Sequence, residues 1–236
     1  MTPTDGGPRA RYREQTRGEI KEIALRQLAE GGLAAIALTR IAKELGLSGP
    51  ALYRYFASRD DLASALIRDA YDDLAAAIRR AAESSAGLPP RELLRALGGA
   101  YRAWALDQPQ RYLLLYGSPL PGYTAPPDTL LRARAALGPI LRVFEGGRPG
   151  PAVLPVVRQM EAWAGRDAQV AGWVAEYVKD AASTAGCALA GAVMSWTRMH
   201  GVISLEVEGQ FTGMGHDPRA LLDAEVDTLA ETFGLD

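Results

Sequence analysis

The sequence predicts an all-α fold: an N-terminal three-helix domain of helix-turn-helix type, joined by a long helix to a helical bundle. Three observations carry that expectation. Apolar residues recur three and four apart through most of the chain, no segment keeps the strict alternation of a strand, and residues 33–62 set two short helices around a glycine turn between caps.

Arg9, Arg11, Arg13 and Arg17 precede or open the first helix, and residues 1–15 read as an arm that is either disordered or laid along a polyanion. Thr39 can cap a helix running to Leu45, with Ile41, Ala42 and Leu45 on one face. Gly46 follows where the chain must take positive φ to turn. Ser48 can cap the next helix, whose first turn accepts Pro50 because a missing N–H costs nothing there. Ala51, Leu52 and Phe56 then face inward, which leaves Gly49, Pro50, Tyr53 and Arg54 outside. Ser58 caps a third time, with Asp61 as capping-box partner and Asp60 at the positive helix end.

From Arg59 to about Ser84 an alanine-rich stripe predicts one helix of about 39 Å. Arg91 to Asp107 continues as a helix with Leu93, Leu94, Leu97, Tyr101 and Trp104 inward, and Arg111 to Tyr116 is a short turn. Residues 117–127 carry four prolines and two glycines and must be irregular. Asp128 can cap a helix to about Glu145; residues 146–151 break the chain, and helices over 153–165 and 168–178 follow. In the last third, Ala185, Leu189, Ala192, Trp196, Met199 and Ile203 fall four and three apart, as do Leu222, Val226, Leu229 and Phe233 in a helix started by Asp217 and Pro218. With Gly186 and Gly191 among them, these seams are expected to pack against a symmetry mate, packing within one chain being the alternative.

A length of 236 residues leaves room for two domains, here 1–60 and 61–236. Net charge is −2, yet residues 1–59 carry ten Lys/Arg against six Asp/Glu, a local charge of +4 at the helix-turn-helix end. A single cysteine, Cys187, excludes an internal disulfide and a zinc cluster, and the longest apolar run, Ala185–Met194, is too short to span a bilayer. A cytoplasmic protein without cofactor or metal is expected. The Gly-x-Ser-x-Gly elbow, the phosphate-binding glycine loop and the His-Glu-x-x-His pair are missing, and His200 reads as a structural histidine, so no enzyme is expected.

In a helix-turn-helix the second helix enters the major groove of DNA while flanking groups hold phosphates. Thr39, Tyr53, Tyr55 and Arg59 suit phosphates, Arg54 suits a phosphate or a guanine edge, and Ser48, Gly49, Pro50 and Ala51 lie at the groove-facing N-terminus. The stretch from Arg17 to Leu66 resembles the DNA-binding domain of the tetracycline-repressor (TetR) family: Ile20, Ala24, Leu28, Gly31, Ile41, Ala42, Gly46, Ser48, Leu52, Tyr53, Phe56, Asp60 and Leu62 match its pattern. Arg59 departs from the family's usual lysine and keeps the charge. Gly49 departs by offering only backbone at a base-facing position.

Trp196, Arg198, His200, Gly201, Ser204, Glu206, Gly209 and Phe211 further resemble the Trp-His-Gly (WHG) class of TetR C-terminal domains, as do Tyr101, Trp104, Pro109, Tyr112, Leu115, Gly117, Pro119, Gly122 and Tyr123. The resemblance implies a helical domain that senses a ligand and dimerises. Tyr101, Trp104, Tyr116, Met160, Trp163 and Tyr177 are the candidates for lining a pocket, and the few charges among them favour a lipophilic or aromatic effector. The expected function is a sequence-specific regulator that binds a palindromic operator as a homodimer, a repressor released by a small-molecule effector. An alternative keeps the DNA-binding dimer and replaces the small molecule with a protein partner.

Overall fold

The computed structural model describes residues 7–117 and 123–235, and these are helical with no strand among them. In chain order the helices are α1 (Pro8–Gly31), α2 (Leu38–Glu44), α3 (Gly49–Tyr53), α4 (Arg59–Ser84), α5 (Pro90–Asp107), α6 (Pro109–Tyr116), α7 (Asp128–Val143), α8 (Leu154–Arg166), α9 (Ala168–Tyr177), α10 (Ala181–Val207) and α11 (Pro218–Thr232). Short 3-10 turns stand at Leu33–Ala35 and Pro151–Val153. Residues 1–6 of the expected arm, and Pro119 and Gly122 of the C-terminal resemblance, lie outside the described residues.

Two compact units result: Met1–Ala70 with Gln110–Thr129, and Tyr71–Pro109 with Leu130–Asp236. In the first unit Ile20, Ala24, Ile41, Leu52, Phe56 and Leu62 form a closed core. Arg9, Arg11 and Arg13 are not on an extended arm: α1 already begins at Pro8, whose fixed φ and missing N–H fit a first turn, and all three arginines are exposed on the helix. Thr39 is not a cap either. It lies in the first turn of α2 and is exposed, while the N-cap is Ala37, whose N–H donates to Oε1 of buried Gln27 at 2.8 Å. Asp128, expected to cap α7, is its first residue and receives Nε and Nη2 of Arg68 at 2.8 and 3.2 Å. A carboxylate facing a planar guanidinium gains more from a bidentate pair than from one amide.

The second unit is built on α10, which packs against α8, α11, α9 and α5, while α11 also packs on α5. Glycine permits the closest of these approaches. A Cβ at Gly191 would enter the Phe144 ring, and one at Gly186 would stand 2.8 Å from the Val157 carbonyl oxygen and 2.9 Å from Glu161 Cβ of α8. Phe144 in turn meets Phe233 edge-on at 4.9 Å. The chain end is fixed by Arg148 N–H donating to Phe233 O at 2.6 Å and Gly150 N–H to Thr232 O at 2.9 Å. Outside this core, bidentate pairs join α5 to its neighbours: Arg95 to Asp227 of α11 at 2.6 and 2.5 Å, and Arg102 to Glu206 of α10 at 2.7 and 2.5 Å.

This packing corrects the expected dimer seam. Leu189, Ala192, Met199, Ile203, Leu222, Val226, Leu229 and Phe233 are each at most 2% exposed in the single chain, so a second copy cannot reach them. Trp196 is half-buried with its ring stacked on His200, and Ala185 lines a cavity between α8, α9 and α10. The small residues do admit close helices, but those helices are α8 and the turn after α7 of the same chain.

Two outcomes follow for this core. Gly191→Ala must displace the Phe144 ring, and overpacking of this kind should cost about 1–3 kcal/mol, read as a lower urea midpoint with unchanged slope. Burial lowers the His200 pKa from its ordinary 6.5, with Glu208 opposing, so the fold favours the neutral imidazole. The unfolded chain then binds the proton first: stability is complete above 6.5 and declines as pH falls below it. Denaturation curves for His200→Gln should show a smaller loss between pH about 7.5 and about 5.5 than those of the parent.

Candidate functional site

α2 closes with a left-handed Gly46, φ +64°, whose geometry lets Leu47 N–H reach Ala42 O at 2.8 Å and Gly46 N–H reach Lys43 O at 3.3 Å. That Schellman pair satisfies carbonyls the helix end leaves open and sets the exit direction of the chain. Ser48 then caps α3, its Oγ accepting from Ala51 N–H at 3.3 Å, and Pro50 occupies the first turn. Five residues are too few to hold a helix by their own hydrogen bonds. α3 is held instead by buried Leu52 and Phe56 and by arginines of α1. Arg17 donates through Nη1 to Tyr55 O at 2.6 Å with its guanidinium carbon 4.3 Å from the Phe56 ring centroid, and Arg13 donates to Arg54 O at 3.4 Å. Ser58 Oγ accepts from Asp61 N–H at 3.1 Å while Asp61 Oδ2 accepts from Ala57 N–H at 2.9 Å, so the capping box of α4 closes one residue ahead of its cap.

With the core so occupied, Thr39, Ser48, Gly49, Pro50, Tyr53, Arg54 and Arg59 are exposed, Tyr53 by 52%. Ala51 and Tyr55 are half-buried. Nothing lies within 4 Å of where a Cβ on Gly49 would stand, so this position offers open space to an approaching surface. Several cations are paired: Arg40 with Glu30 at 2.6 Å, Arg26 with Glu44, and Arg59 with Asp60 at 3.5 Å. Lys43, exposed and one helical turn after Thr39 on the same face of α2, has no carboxylate partner among the described residues. Sequence reasoning passed over it, although the i, i+4 spacing from Thr39 was a usable signal.

The six expected pocket residues do not gather around one cavity. Tyr101 and Trp104 are 5% and 6% exposed on α5, with Trp104 Nε1 donating to Asp73 Oδ2 at 3.1 Å. Tyr116 belongs to the first unit, where its ring lies 5.2 Å from that of Tyr112. Met160 and Trp163 are half-buried on α8. Tyr177 lines a cavity of about 280 Å³ between α7 and α9, shared with Leu131, Arg134, Ala135, Gln169, Trp173 and Glu176. A second cavity of about 420 Å³ between α8, α9 and the start of α10 is walled mainly by alanines and Val174. Among the described residues no group of His, Cys, Asp and Glu could hold a metal ion, and no helix is long and apolar enough to cross a membrane. Burial raises the Cys187 pKa, which keeps the thiol protonated and unreactive.

Comparison with known proteins agrees with this architecture. Residues 20–66 match the family model described as bacterial regulatory proteins, tetR family, and residues 94–229 match that of the tetracyclin repressor-like C-terminal domain. An HTH-type transcriptional regulator of Mycobacterium tuberculosis is 35% identical over 94% of this chain and 94% of its own. The crystal structure of the regulatory protein SCO4313 is similar at TM-score 0.78 and 43% identity, over 95% of this chain and 99% of that one. FadR from Bacillus subtilis, solved in complex with stearoyl-CoA, shares the fold at TM-score 0.53 and 14% identity, over 91% and 98% of the two chains.

The contacts around α3 have a measurable weight. Gly46→Ala forces a Cβ into the left-handed region and should cost about 1 kcal/mol of stability, while Arg17→Met removes a charge-assisted bond and should cost about 1.5–3 kcal/mol, both read by thermal and urea unfolding.

Proposed function

The chain belongs to the tetR family of bacterial regulatory proteins and is a DNA-binding transcriptional regulator, not an enzyme; from that premise we propose that it is a dimeric repressor released from a palindromic operator by a small molecule. One observation carries the operator half of the reading: the residues of α2, α3 and the α4 start whose chemistry suits DNA are exposed, while their apolar neighbours close the core. In this reading residues 1–60 read DNA, with Thr39, Lys43, Tyr53 and Arg59 on phosphates, Arg54 on a phosphate or guanine, and Ser48, Gly49, Pro50 and Ala51 at the base edges. Arg9 and Arg11 lie free on the exposed start of α1 to follow the backbone, and Arg13 extends the same set. Half-buried Tyr55 contributes chiefly by its place beside the Arg17 bond.

Residues 61–236 take the effector and the second copy. With the apolar seams spent inside the chain, the dimer face becomes the exposed side of α10 and α11: Thr197, Gly201 and Leu205 on the first, Leu221, Ala224 and Thr228 on the second, spaced three and four apart. These side chains are small or apolar and let helices of another copy approach closely. The effector half is supported by two cavities among the helices and by the stearoyl-CoA held by the FadR of like fold. A route for coupling is available in α7, which carries Arg134 and, at its first residue, the Asp128 that holds Arg68 of α4.

On a site obtained by selection from random duplexes, Tyr53→Phe and Arg59→Ala should each weaken binding, Arg59→Ala by about tenfold or more with a salt slope shallower by about 1. Unchanged affinities would remove these residues from the interface. A Cβ at Gly201 meets nothing within 4 Å in the single chain, so Gly201→Glu should fold normally and sediment as a monomer; a dimer of parental affinity would displace the proposed face.

A further inference from the structure

Arg134 is the residue that the fold does not account for. It sits on α7 with only 7% of its surface exposed, at the wall of the cavity between α7 and α9. Its backbone carbonyl accepts from Trp173 Nε1 at 3.0 Å, and its guanidinium carbon lies 5.9 Å from the Trp173 ring centroid. Among the described residues, however, no carboxylate stands within ion-pair distance of it and no acceptor takes its N–H groups. By contrast the half-buried Arg68, Arg95 and Arg102 pair with Asp128, Asp227 and Glu206, and Arg17 donates to a backbone carbonyl. Removing a guanidinium from water costs several kcal/mol, which a neighbouring anion normally offsets. Among the described residues no such anion stands beside Arg134, and its guanidinium, not wholly shut off from solvent, borders an open cavity.

We propose that the α7–α9 cavity is the effector site and takes a small aryl or short-chain carboxylate, its carboxylate on Arg134 and its apolar body against Trp173, Tyr177 and Leu131. The geometry favours this class in three ways. A guanidinium offers two parallel N–H bonds that match a carboxylate, and a bidentate pair orients the ligand as well as holding it. Trp173 and Tyr177 provide flat walls, and Tyr177 is fixed because a Cβ on Gly138 would strike its ring, so the wall needs no ordering on binding. The Tyr177 hydroxyl stays protonated, since burial raises its pKa, and remains a donor. Glu176 and Gln169, both exposed, also line this cavity, so the negative charge of Glu176 stands beside the place proposed for the ligand. A cavity of about 280 Å³ excludes large amphiphiles from complete burial. The lipophilic effector expected from the aromatic residues thus acquires a charged head.

The inference rests on the helical domain being the effector domain, and its test separates the two. Acetate, benzoate and 2-naphthoate, each beside its neutral amide and against chloride at equal ionic strength, are titrated into DNA-free protein while tryptophan fluorescence and Tm are followed. At least one carboxylate should saturate and raise Tm, its amide should bind at least about tenfold more weakly, and Arg134→Gln should weaken the carboxylate by roughly 10- to 100-fold. Ligand-free Arg134→Met should melt higher than the parent, by roughly 2 °C or more, because an unpaired buried charge is removed. A lower Tm for Arg134→Met, equal binding of acid and amide, or no response to any carboxylate would overturn the site. Carboxylate binding through Arg134 that leaves operator affinity unchanged would keep the site and overturn its role as effector site.

Discussion

A helix of five residues cannot sustain itself, and the placement of the exposed side chains of α3 depends on how that helix is held. Its first turn is closed by Ser48, its inner face by Leu52 and Phe56, and its far end by Arg17 of α1, which reaches the Tyr55 carbonyl and lies over the Phe56 ring. The arrangement divides the labour among the arginines of α1. Arg17 is occupied by the fold, Arg13 stands partly so, and Arg9 and Arg11 remain on the solvent side of the same helix. A surface held by contacts of this kind would bring less ordering entropy to the proposed DNA complex.

The same logic of filled ends and filled faces governs the second unit. Gly186 and Gly191 bring α8 and Phe144 onto α10, and the bidentate pairs Arg95–Asp227 and Arg102–Glu206 close its flank. Once the apolar seams are consumed in this way, Thr197, Gly201 and Leu205 of α10 and Leu221, Ala224 and Thr228 of α11 remain as small or apolar exposed positions, beside charged residues of α11 such as Arg219 and Glu231. Arg134, 7% exposed on α7, has no carboxylate within ion-pair distance among the described residues. A largely buried cation with no anion beside it among the described residues is a cost to folding, which the proposed carboxylate would offset.

Local signals in the sequence proved legible, and distant ones did not. Gly46, Ser48 and Ser58 announced the turn and caps of the reading head because each acts within four residues of itself, and the span of α4 followed from a single alanine-rich stripe. Thr39 failed as a cap because α2 already begins at Leu38, after Ala37, whose N–H is taken by distant Gln27, and Asp128 because its carboxylate pairs with distant Arg68. The seam of Leu189, Met199 and Ile203 marked a packed face correctly as packed, but periodicity carries no information on whose helix covers it. Counting aromatic residues likewise could not say that α7 and α9 meet. Arg134 did leave a trace: it precedes buried Gly138 and Leu141 by four and seven residues, which places a charge on an inward stripe.

The central claim is that the exposed face around α3 reads a two-fold DNA site. Hydroxyl-radical and guanine-N7 footprinting of the protein on its selected duplex tests this directly. The account predicts two protected patches related by two-fold symmetry, with N7 protection in the major groove at the centre of each half. Selection of no sequence at all, or protection confined to the minor groove, would contradict it.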